Sequence, residues 1–419
     1  SAQQAEPATP ATCGTFQTSG IFQDNKLQVQ FLLYTPRNPT CGQAIHINQS
    51  GSIERSMFNS SLETKIIIHG FRVLGTKPSW TENLVEALLG AGAANVVLVD
   101  WVSGSTAKYS QSVENVPKLS SLLVALIKRF LDLGSTLESL HLIGVSLGAH
   151  VAGSIGEHFG GQIGWITGLD PAAYQFTRTH PEDRLDSGDA LFVDAVHTDT
   201  DNFGIRIPVG HIDYFINGGR DQPGCPSLTN LYQYLICDHM RSVAVFISAV
   251  RGKCSFVGFP CSTYKEFQEG LCVDCETPKL SSCPRLGRKD GLIIPGEFEF
   301  QNFISNSQNY TSTVGYKTQE PPKEIQLFLL TTPEEPYCTH HILLEFTLSK
   351  PKAISITMEI QLYSADSSRS SKTKITIPKE TLEGRGLAAH GTRLCLLDKV
   401  QIRVLTKSGF WRRGPEFTG

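Results

Sequence analysis

Apolar runs of strand length alternate with stretches of helical periodicity over the first 319 residues of the chain. In chain order, the predicted elements are strands at 64–68 and 95–100, a helix from 116, a strand at 140–143, a helix from 147, and strands at 163–169 and 190–196. Strands that alternate with helices favour a mostly parallel sheet that is covered by helices. The fold class predicted for this part is therefore α/β.

The pattern changes near residue 320. Residues 318–323 are polar and include Glu320-Pro321-Pro322, which is typical of a linker. Short β-like runs with turn residues between them follow at 324–331, 342–348, 354–362, 373–377 and 400–405. Because no helical stretch of similar strength accompanies them, they predict a β-sandwich. The sequence therefore divides into an α/β domain, 1–319, and a C-terminal β-sandwich, 320–419.

The composition is typical of a soluble, secreted globular protein. The chain has 419 residues, of which 40% are hydrophobic and 18% charged, and its net charge is −3. This balance indicates no nucleic-acid partner, and no apolar run reaches the roughly 20 residues that span a bilayer. Eleven cysteines favour an oxidising compartment. Since the chain starts at Ser1 without a signal-peptide pattern, we expect a mature extracellular form.

The segment Gly144-Val145-Ser146-Leu147-Gly148 follows a predicted strand and precedes a predicted helix. This layout is typical of a nucleophile elbow, a sharp strand-to-helix turn that raises a serine hydroxyl above the edge of the sheet. Glycines flank the serine because a Cβ there would collide with the neighbouring strand or helix. The turn also leaves the Leu147 N–H available to an oxyanion. An isolated G-x-S-x-G also arises by chance, so the assignment of Ser146 depends on an acid and a histidine farther along the chain.

Asp170 and His239 supply these groups in the order that α/β-hydrolases use, which is serine, acid, histidine. Asp170 ends a predicted strand, where such sheets place their chemistry, and an aspartate that only caps a turn is the alternative. His239 follows Cys237, which can anchor it, and precedes an apolar helical pattern. Among the twelve histidines, His197 and His211 remain competitors, although each is more commonly an ordinary hydrogen-bonded histidine at a strand end.

In the mechanism that these residues suggest, Ser146 attacks an ester carbonyl while His239 removes its proton and Asp170 orients the imidazole. A second oxyanion donor is expected in the loop after an earlier strand. His69-Gly70-Phe71 follows a β-branched run, so the Phe71 N–H is the candidate. The sequence thus predicts an α/β-hydrolase domain that carries a serine esterase site.

Five segments resemble the animal neutral lipase family, which groups pancreatic, hepatic and lipoprotein lipases with phospholipases A1: His69-Gly70-Phe71, Val99-Asp100-Trp101, 144–150, 168–172 and Cys237-Asp238-His239. The motifs are specific between residues 22 and 284 and less specific beyond. The resemblance implies a triad of Ser146, Asp170 and His239, with Phe71 and Leu147 as oxyanion donors. It also implies that the chemistry requires no cofactor.

The resemblance further implies three disulfides, Cys225–Cys237, Cys261–Cys272 and Cys275–Cys283. Zinc at Cys272 and Cys275 is the alternative, although no second motif completes a zinc site. The pairing of five cysteines stays open: Cys13, Cys41, Cys254, Cys338 and Cys395. Because eleven is an odd count, at least one cysteine lacks an internal partner, and Cys254 is the candidate.

The lengths of two loops determine which substrate we expect. Cys225 and Cys237 bracket eleven residues, 226–236, whose apolar and aromatic side chains suit a surface loop that meets lipid. A disulfide-closed loop without a role is the alternative. The corresponding lid of the family's triglyceride lipases is longer and covers the site at rest. With this lid and the loop 199–210 both short, we expect a site that is open to a lipid with a bulky headgroup.

The phospholipase A1 members of the family imply a secreted enzyme that cleaves the sn-1 acyl ester of phosphatidylserine, and of 1-acyl-2-lysophosphatidylserine, at a membrane or vesicle surface. Candidates for contact with the headgroup are Arg72, Lys77, Arg206 and Arg241, each of which is more often a solvated surface charge. The alternatives are a phospholipase A1 of other headgroup preference, a triglyceride lipase, and a non-catalytic lipid-binding protein on the same fold. Heparan sulfate stays open as a further partner.

The remaining predictions concern modification, metal and the C-terminal end. Sequons at Asn48, Asn59 and Asn309 predict a glycoprotein. Asp186 and Asp189 resemble the structural calcium loop of pancreatic-type lipases, but the first ligand position falls on a proline, which favours a carboxylate-rich turn without metal. By resemblance the sandwich is PLAT-like and associates with lipid. Its end stays open because the last nine residues depart from the family pattern.

Overall fold

A ten-stranded sheet organises the first part of the chain. The structure is a computed structural model that describes residues 13–19, 26–49, 51–106, 108–226, 231–275, 283–287, 324–366, 368–391, 396–405 and 416–418. The strands are β1 (Gln30–Tyr34), β2 (Gln43–Ile45), β3 (Glu63–Ile68), β4 (Ala94–Asp100), β5 (Leu140–Val145), β6 (Trp165–Leu169), β7 (Val193–His197), β8 (Ile212–Ile216), β9 (Phe259–Pro260) and β10 (Ile325–Leu329). Their spatial order is β2-β1-β4-β3-β5-β6-β7-β8-β10-β9.

In this spatial order, the seven strands β4-β3-β5-β6-β7-β8-β10 all run parallel to their neighbours. At the two edges of the sheet, β1, β2 and β9 pair antiparallel. The helices are α1 (Thr81–Ala91), α2 (Tyr109–Asp132), α3 (Leu147–His158), α4 (Leu231–Arg251) and α5 (Tyr264–Gln268). One apolar core lies under α2 and α3, and a second lies under α1 and α4 on the other face. The predicted α/β fold class with a mostly parallel sheet is confirmed.

The alternation of side chains along β3 shows why the central strands of the sheet are apolar at nearly every position. Ile66 and Ile68 belong to the core under α2 and α3, whereas Ile67 belongs to the core under α1 and α4. Successive side chains of a strand point to opposite faces, so a strand that is covered on both faces is apolar throughout. Among the described residues, no helix combines the length and apolar character needed to cross a membrane.

Two antiparallel sheets form the C-terminal part. One pairs β11 (His340–Thr347) with β14 (Glu383–His390), and the other has the order β13-β12-β15-β16. The strands of the second sheet are β12 (Ile356–Ser364), β13 (Thr373–Ile377), β15 (Leu397–Leu405) and β16 (Glu416–Thr418). Ile342 and Ala388 from the first sheet share one core with Ile360 and Ile375 from the second. Antiparallel sheets that bury their inner faces together agree with the predicted β-sandwich.

The run 324–331 is not part of the sandwich, which corrects its predicted assignment. It forms β10, which lies parallel to β8 in the large sheet, with Leu327 and Leu329 buried in the core under α1 and α4. Spacing along the chain does not reveal which sheet a strand joins after a long connection. The predicted boundary at 319/320 stays a prediction, because 288–323 lies outside the described residues.

Five disulfides lie within the described residues: Cys13–Cys41, Cys225–Cys237, Cys254–Cys338, Cys261–Cys272 and Cys275–Cys283. The prediction that Cys254 is unpaired is wrong, because it bonds a cysteine 84 positions away that the fold brings beside the end of α4. The zinc alternative is also wrong, since Cys272 and Cys275 each lie in a disulfide. Cys395 and the sequon Asn309 lie outside the described residues.

Candidate active site

Ser146 lies on a strained turn between β5 and α3. Its backbone has φ 56° and ψ −120°, a conformation that costs a non-glycine residue about 1–3 kcal/mol and persists only when its surroundings enforce it. Those surroundings include β6, because the Ser146 N–H donates to the Leu169 carbonyl at 2.9 Å. A Cβ on Gly144 would lie 2.6 Å from the backbone nitrogen of Ala149, which explains this glycine of the motif. The predicted strand–turn–helix context of the elbow is therefore present.

Asp170 follows β6, directly after the residue that holds Ser146, and its backbone also has a positive φ, 44°. The Nδ1 atom of His239 lies 2.6 Å from Oδ2 of Asp170, and both side chains are buried. The other oxygen, Oδ1, accepts N–H bonds from Thr198 at 2.8 Å and Asp199 at 3.2 Å. The carboxylate is thus fixed on both oxygens, and it fixes the imidazole in turn.

The electrostatics of this pair favour a histidine that binds a proton readily. Burial lowers the pKa of His239, but the hydrogen bond and charge of Asp170 and the charge of Asp199 outweigh burial and raise the pKa above its ordinary value. An opposite charge within a few ångströms stabilises the imidazolium. The arrangement suits a general base that becomes cationic during the reaction.

The two competing histidines have other partners. Nε2 of His197 lies 2.7 Å from Oδ1 of Asp213, and its Nδ1 lies 3.1 Å from the Ile205 carbonyl, with the ring fully buried. His211 accepts the Val193 N–H at its Nδ1. Both therefore serve as hydrogen-bonded histidines of the strand ends, which is the alternative that the sequence left open for them.

The loop after β3 is held next to the elbow. A Cβ on Gly70 would lie 2.7 Å from Ser146 Cβ and 3.2 Å from the Leu147 nitrogen, so the loop backbone lies against the start of α3. Phe71 follows at once, and its ring packs edge-on against Tyr109 at 5.5 Å. The structure thus brings together the two segments whose N–H groups were predicted to bind an oxyanion.

His69 locks this loop to the end of β4. Its Nδ1 lies 2.9 Å from the Gly70 carbonyl, and its Nε2 accepts the Trp101 N–H at 3.4 Å. The indole Nε1–H of Trp101 donates to the His69 carbonyl at 2.8 Å. Complete burial lowers the pKa of His69 to about 3, so the ring is neutral and acts as one donor and one acceptor. Sequence reasoning placed both residues in family motifs but missed this contact.

Asp199 is a further acid that the sequence did not single out. Its carboxylate, the Asp170 carboxylate and a ring nitrogen of His239 all lie within 4.8 Å of one another, a spacing that would also suit metal ligands. Burial is the main cause that raises its pKa to about 7, and the charge of Asp170 adds to the effect. The available signal was its position two residues after the end of β7, at the same sheet edge as Asp170.

The segment between Cys225 and Cys237 is not a loop throughout. Residues 227–230 lie outside the described residues, and α4 already begins at Leu231, so the second half of the predicted loop is helical. His239 consequently lies inside α4, not ahead of the helix as predicted. The apolar pattern after His239 correctly predicted the part of α4 that packs on the sheet. It did not predict the first two turns of α4, which precede His239.

All four basic candidates for a headgroup contact also bond within the chain: Arg72 donates to the Thr76 carbonyl at 3.0 Å, and Arg206 donates to the Thr200 carbonyl at 3.2 Å. The buried Arg241 donates to the Pro223 carbonyl at 2.9 Å and the Pro333 carbonyl at 3.0 Å, so it ties segments of the fold together. Lys77 pairs with Glu82 at 2.6 Å. Arg241 is thus the least accessible of the four candidates.

Exposed apolar side chains lie on the loops that follow β3, β6 and β7, which are the strands whose ends carry the site. We call this set the apolar rim: Val73, Leu74, Tyr174 and Phe203. Tyr174 is 70% exposed and Leu74 is 54% exposed, whereas the Phe203 ring lies 5.6 Å from the His239 ring. Large exposed apolar side chains on neighbouring loops mark a surface that meets another apolar phase or partner.

The candidate calcium residues form a capped turn. Asp189 is buried, and its Oδ2 accepts the Asp186 N–H at 2.9 Å, while Asp186 Oδ1 accepts the Gly188 N–H at 2.5 Å. Asp189 Oδ1 has no hydrogen-bond partner, and burial chiefly raises the pKa of this side chain to about 8. The turn is satisfied by its own backbone except for this one oxygen.

Comparison with known proteins gives consistent matches. A family model described as "Lipase" matches residues 1–312. The protein named phospholipase A1 member A from Mus musculus is 48% identical over 408 residues, which cover 97% of this chain and 84% of that one. Its Homo sapiens counterpart is 47% identical over 414 residues, with 99% and 85% covered. The protein named lipase member H from Danio rerio is 44% identical over 297 residues, with 70% and 65% covered.

Proposed function

The chain belongs to the lipase family, and we propose that it is a secreted phospholipase A1 that hydrolyses the sn-1 acyl ester of phosphatidylserine. The observation that carries the proposal is the buried Asp170–His239 pair at the sheet edge where Ser146 occupies a strained elbow. The name phospholipase A1 member A, given to relatives that match nearly the whole chain, supports the choice of ester.

In this function Ser146 Oγ attacks the ester carbonyl while His239 takes its proton and Asp170 holds the imidazole in the required orientation. The N–H groups of Phe71 and Leu147 bind the oxyanion, and each such donor is worth about 3 kcal/mol in the transition state. The imidazolium then protonates the leaving glyceryl oxygen. A water molecule, activated by the same histidine, hydrolyses the acyl-enzyme and releases the fatty acid.

A fluorophosphonate probe tests the chemistry directly. We expect the probe to label Ser146 of the folded protein, and Ser146→Ala to abolish both labelling and release of fatty acid from phosphatidylserine vesicles. A protein that stays unlabelled would instead fit a non-catalytic lipid-binding role. Full activity of Ser146→Ala would contradict the assignment of the nucleophile.

The apolar rim supports a lipid substrate that is presented at a membrane or vesicle surface, and the short disulfide-closed segment between Cys225 and Cys237 supports an open site. Arg72, next to Val73 of the rim, and the exposed Arg206 are the basic residues we propose for the anionic headgroup. We expect faster hydrolysis of phosphatidylserine vesicles, and of 1-acyl-2-lysophosphatidylserine, than of a triolein emulsion. The reverse order would favour the triglyceride lipase alternative.

Secretion and glycosylation are part of the same proposal. Five disulfides support an oxidising compartment, and the sequons Asn48 and Asn59 are both exposed. Treatment of the secreted protein with an endoglycosidase should reduce its apparent mass.

A structural calcium ion remains the finer proposal for the turn at Asp186 and Asp189. The unpartnered, buried Oδ1 of Asp189 fits a cation, which would also stabilise the carboxylate form. If calcium binds, a chelator should lower the melting temperature, and Asp189→Asn should abolish that difference.

A further inference from the structure

Asp199 occupies a position for which the proposed mechanism has no role. It lies in the turn after β7 and is completely buried. Its Oδ1 accepts the Asn202 side-chain N–H at 2.9 Å, and its Oδ2 accepts the Phe203 N–H at 3.3 Å. Both oxygens therefore accept N–H bonds that favour the charged carboxylate, whereas burial, the largest cause, and the charge of Asp170 raise the pKa of Asp199 to about 7.

The same turn holds the catalytic pair from two sides. The Asp199 N–H donates to Asp170, and the Phe203 ring packs against the His239 ring. Gly204 completes the turn, and a Cβ there would lie 2.5 Å from both oxygens of Asp170. The turn thus sets the distance between Asp199 and the imidazole through backbone contacts.

The charge balance of the cluster is unusual for a buried site. Two carboxyl groups lie within 4.8 Å of each other and of the His239 ring, so once Asp199 has ionised and while His239 is neutral the cluster holds two negative charges without a cation. When the imidazolium forms, one of them is neutralised. The titratable groups that act on Asp199 are Asp170 at the end of β6 and His239 of α4, which oppose each other. Three groups at this distance titrate as one coupled system.

We propose that Asp199 is a positioning residue whose carboxylate, together with that of Asp170, stabilises the imidazolium form of His239. The inference rests on the proposed serine esterase function and assigns its pH dependence to a second acid. The plain alternative is that Asp199 only ties the turn, a role in which its charge has no effect on His239.

The consequence for pH has a definite sign. A negative charge beside His239 raises its pKa, so removal of that charge lowers it. Because the base must be neutral to accept the proton of Ser146, the acid limb of the pH profile follows the pKa of His239 in the free enzyme. Asp199→Asn should therefore move the acid limb to lower pH by roughly one unit, and lower the plateau rate about tenfold.

The experiment measures the rate of fluorophosphonate labelling at Ser146 against pH, which needs no lipid surface. Asp199→Asn keeps the shape of the side chain and one acceptor oxygen. Asp201→Asn is the matched control, because it removes an exposed carboxylate from the same turn and should leave the acid limb unmoved. Thermal unfolding of all variants shows whether the turn still folds.

Asn202→Ala gives a second route if Asp199→Asn does not fold. Loss of its N–H makes ionisation of Asp199 less favourable, so the acid limb should move in the same direction by a smaller amount. The inference would be overturned if the acid limbs of Asp199→Asn and Asn202→Ala both match that of the wild type. It would also be overturned if Asp201→Asn moves the acid limb by the same amount. Neither result would contradict the proposed esterase function. Absence of labelling in the wild type would instead refute the proposed function.

Discussion

Replacing Gly70 with alanine places a methyl group against the nucleophile. The added Cβ would lie 2.7 Å from Ser146 Cβ, 2.8 Å from the Val145 carbonyl oxygen and 3.2 Å from the Leu147 nitrogen. Two of these three atoms belong to the backbone, so no side-chain rotation relieves the contact. Either the loop after β3 or the start of α3 must move, and the two proposed oxyanion donors then separate.

The expected effect is mainly kinetic. Loss of one well-placed donor costs about 3 kcal/mol in the transition state, which corresponds to roughly a hundredfold lower kcat. The steric strain itself is expected to reduce the free energy of unfolding by about 1–3 kcal/mol, as overpacking does elsewhere. A domain of ordinary stability survives a loss of that size. We therefore expect a folded protein whose kcat falls while KM for a soluble ester changes little.

Gly90→Ala is the matched control. Gly90 lies near the end of α1, and a Cβ there would meet no atom within 4 Å. Alanine favours a helix over glycine by about 1 kcal/mol, so this variant should be slightly more stable and fully active. Turnover of a soluble ester and urea unfolding measure both properties. A Gly70→Ala enzyme that keeps kcat within about threefold of wild type would refute the placement of an oxyanion donor in this loop.

Three further outcomes follow from the site. Gly204→Ala pushes a methyl group into the Asp170 carboxylate, so kcat for a soluble ester should fall about 10³-fold, and an unchanged kcat would show that the carboxylate does not orient the base. Leu74→Ser should raise the Kd for phosphatidylserine vesicles up to about tenfold without changing soluble-ester turnover. Leu191→Ser removes another exposed leucine, which lies outside the apolar rim, and should change neither quantity. Burial lowers the pKa of His239, but the acidic neighbours have the larger effect and raise it above its ordinary value. We therefore expect kcat/KM to rise with pH through a midpoint above roughly 6.5. A lower midpoint would contradict this electrostatic balance. The raised pKa also stabilises the folded protein: this contribution to the free energy of unfolding is present at lower pH and is lost as the pH rises through the folded-state pKa of His239.

The sequence predicts features that are local in the chain. Ser146 stands out because a strand, a glycine-flanked turn and a helix need only a few consecutive residues. Asp170 stands out for the same reason, as a carboxylate directly after an apolar strand. Family motifs then selected His239 from twelve histidines, and the structure places it 2.6 Å from Asp170. The fold class followed from apolar periodicity, which reports burial on one or both faces of an element.

The sequence does not predict features that depend on contacts between residues far apart in the chain. Asp199 resembles any other polar residue after a strand until the turn folds back toward His239. Cys254 finds its partner only because the chain returns to the end of α4. The contact of His69 with Trp101 joins two strand ends that are neighbours in the sheet but 32 positions apart in the chain. In each case the partner was set by tertiary packing, which spacing alone does not encode.

The position of β10 has a consequence for the order in which the protein assembles during synthesis. β8 and β9 leave the ribosome well before β10, yet each depends on β10 for one of its hydrogen-bonded neighbours. Until β10 arrives, the nascent sheet has an unpaired edge that can capture another strand. Translation past β10 closes this interval, and oxidation of Cys254 with Cys338 then retains the strand covalently. Chains that are cut before β10 should therefore aggregate rather than yield a smaller, independent esterase.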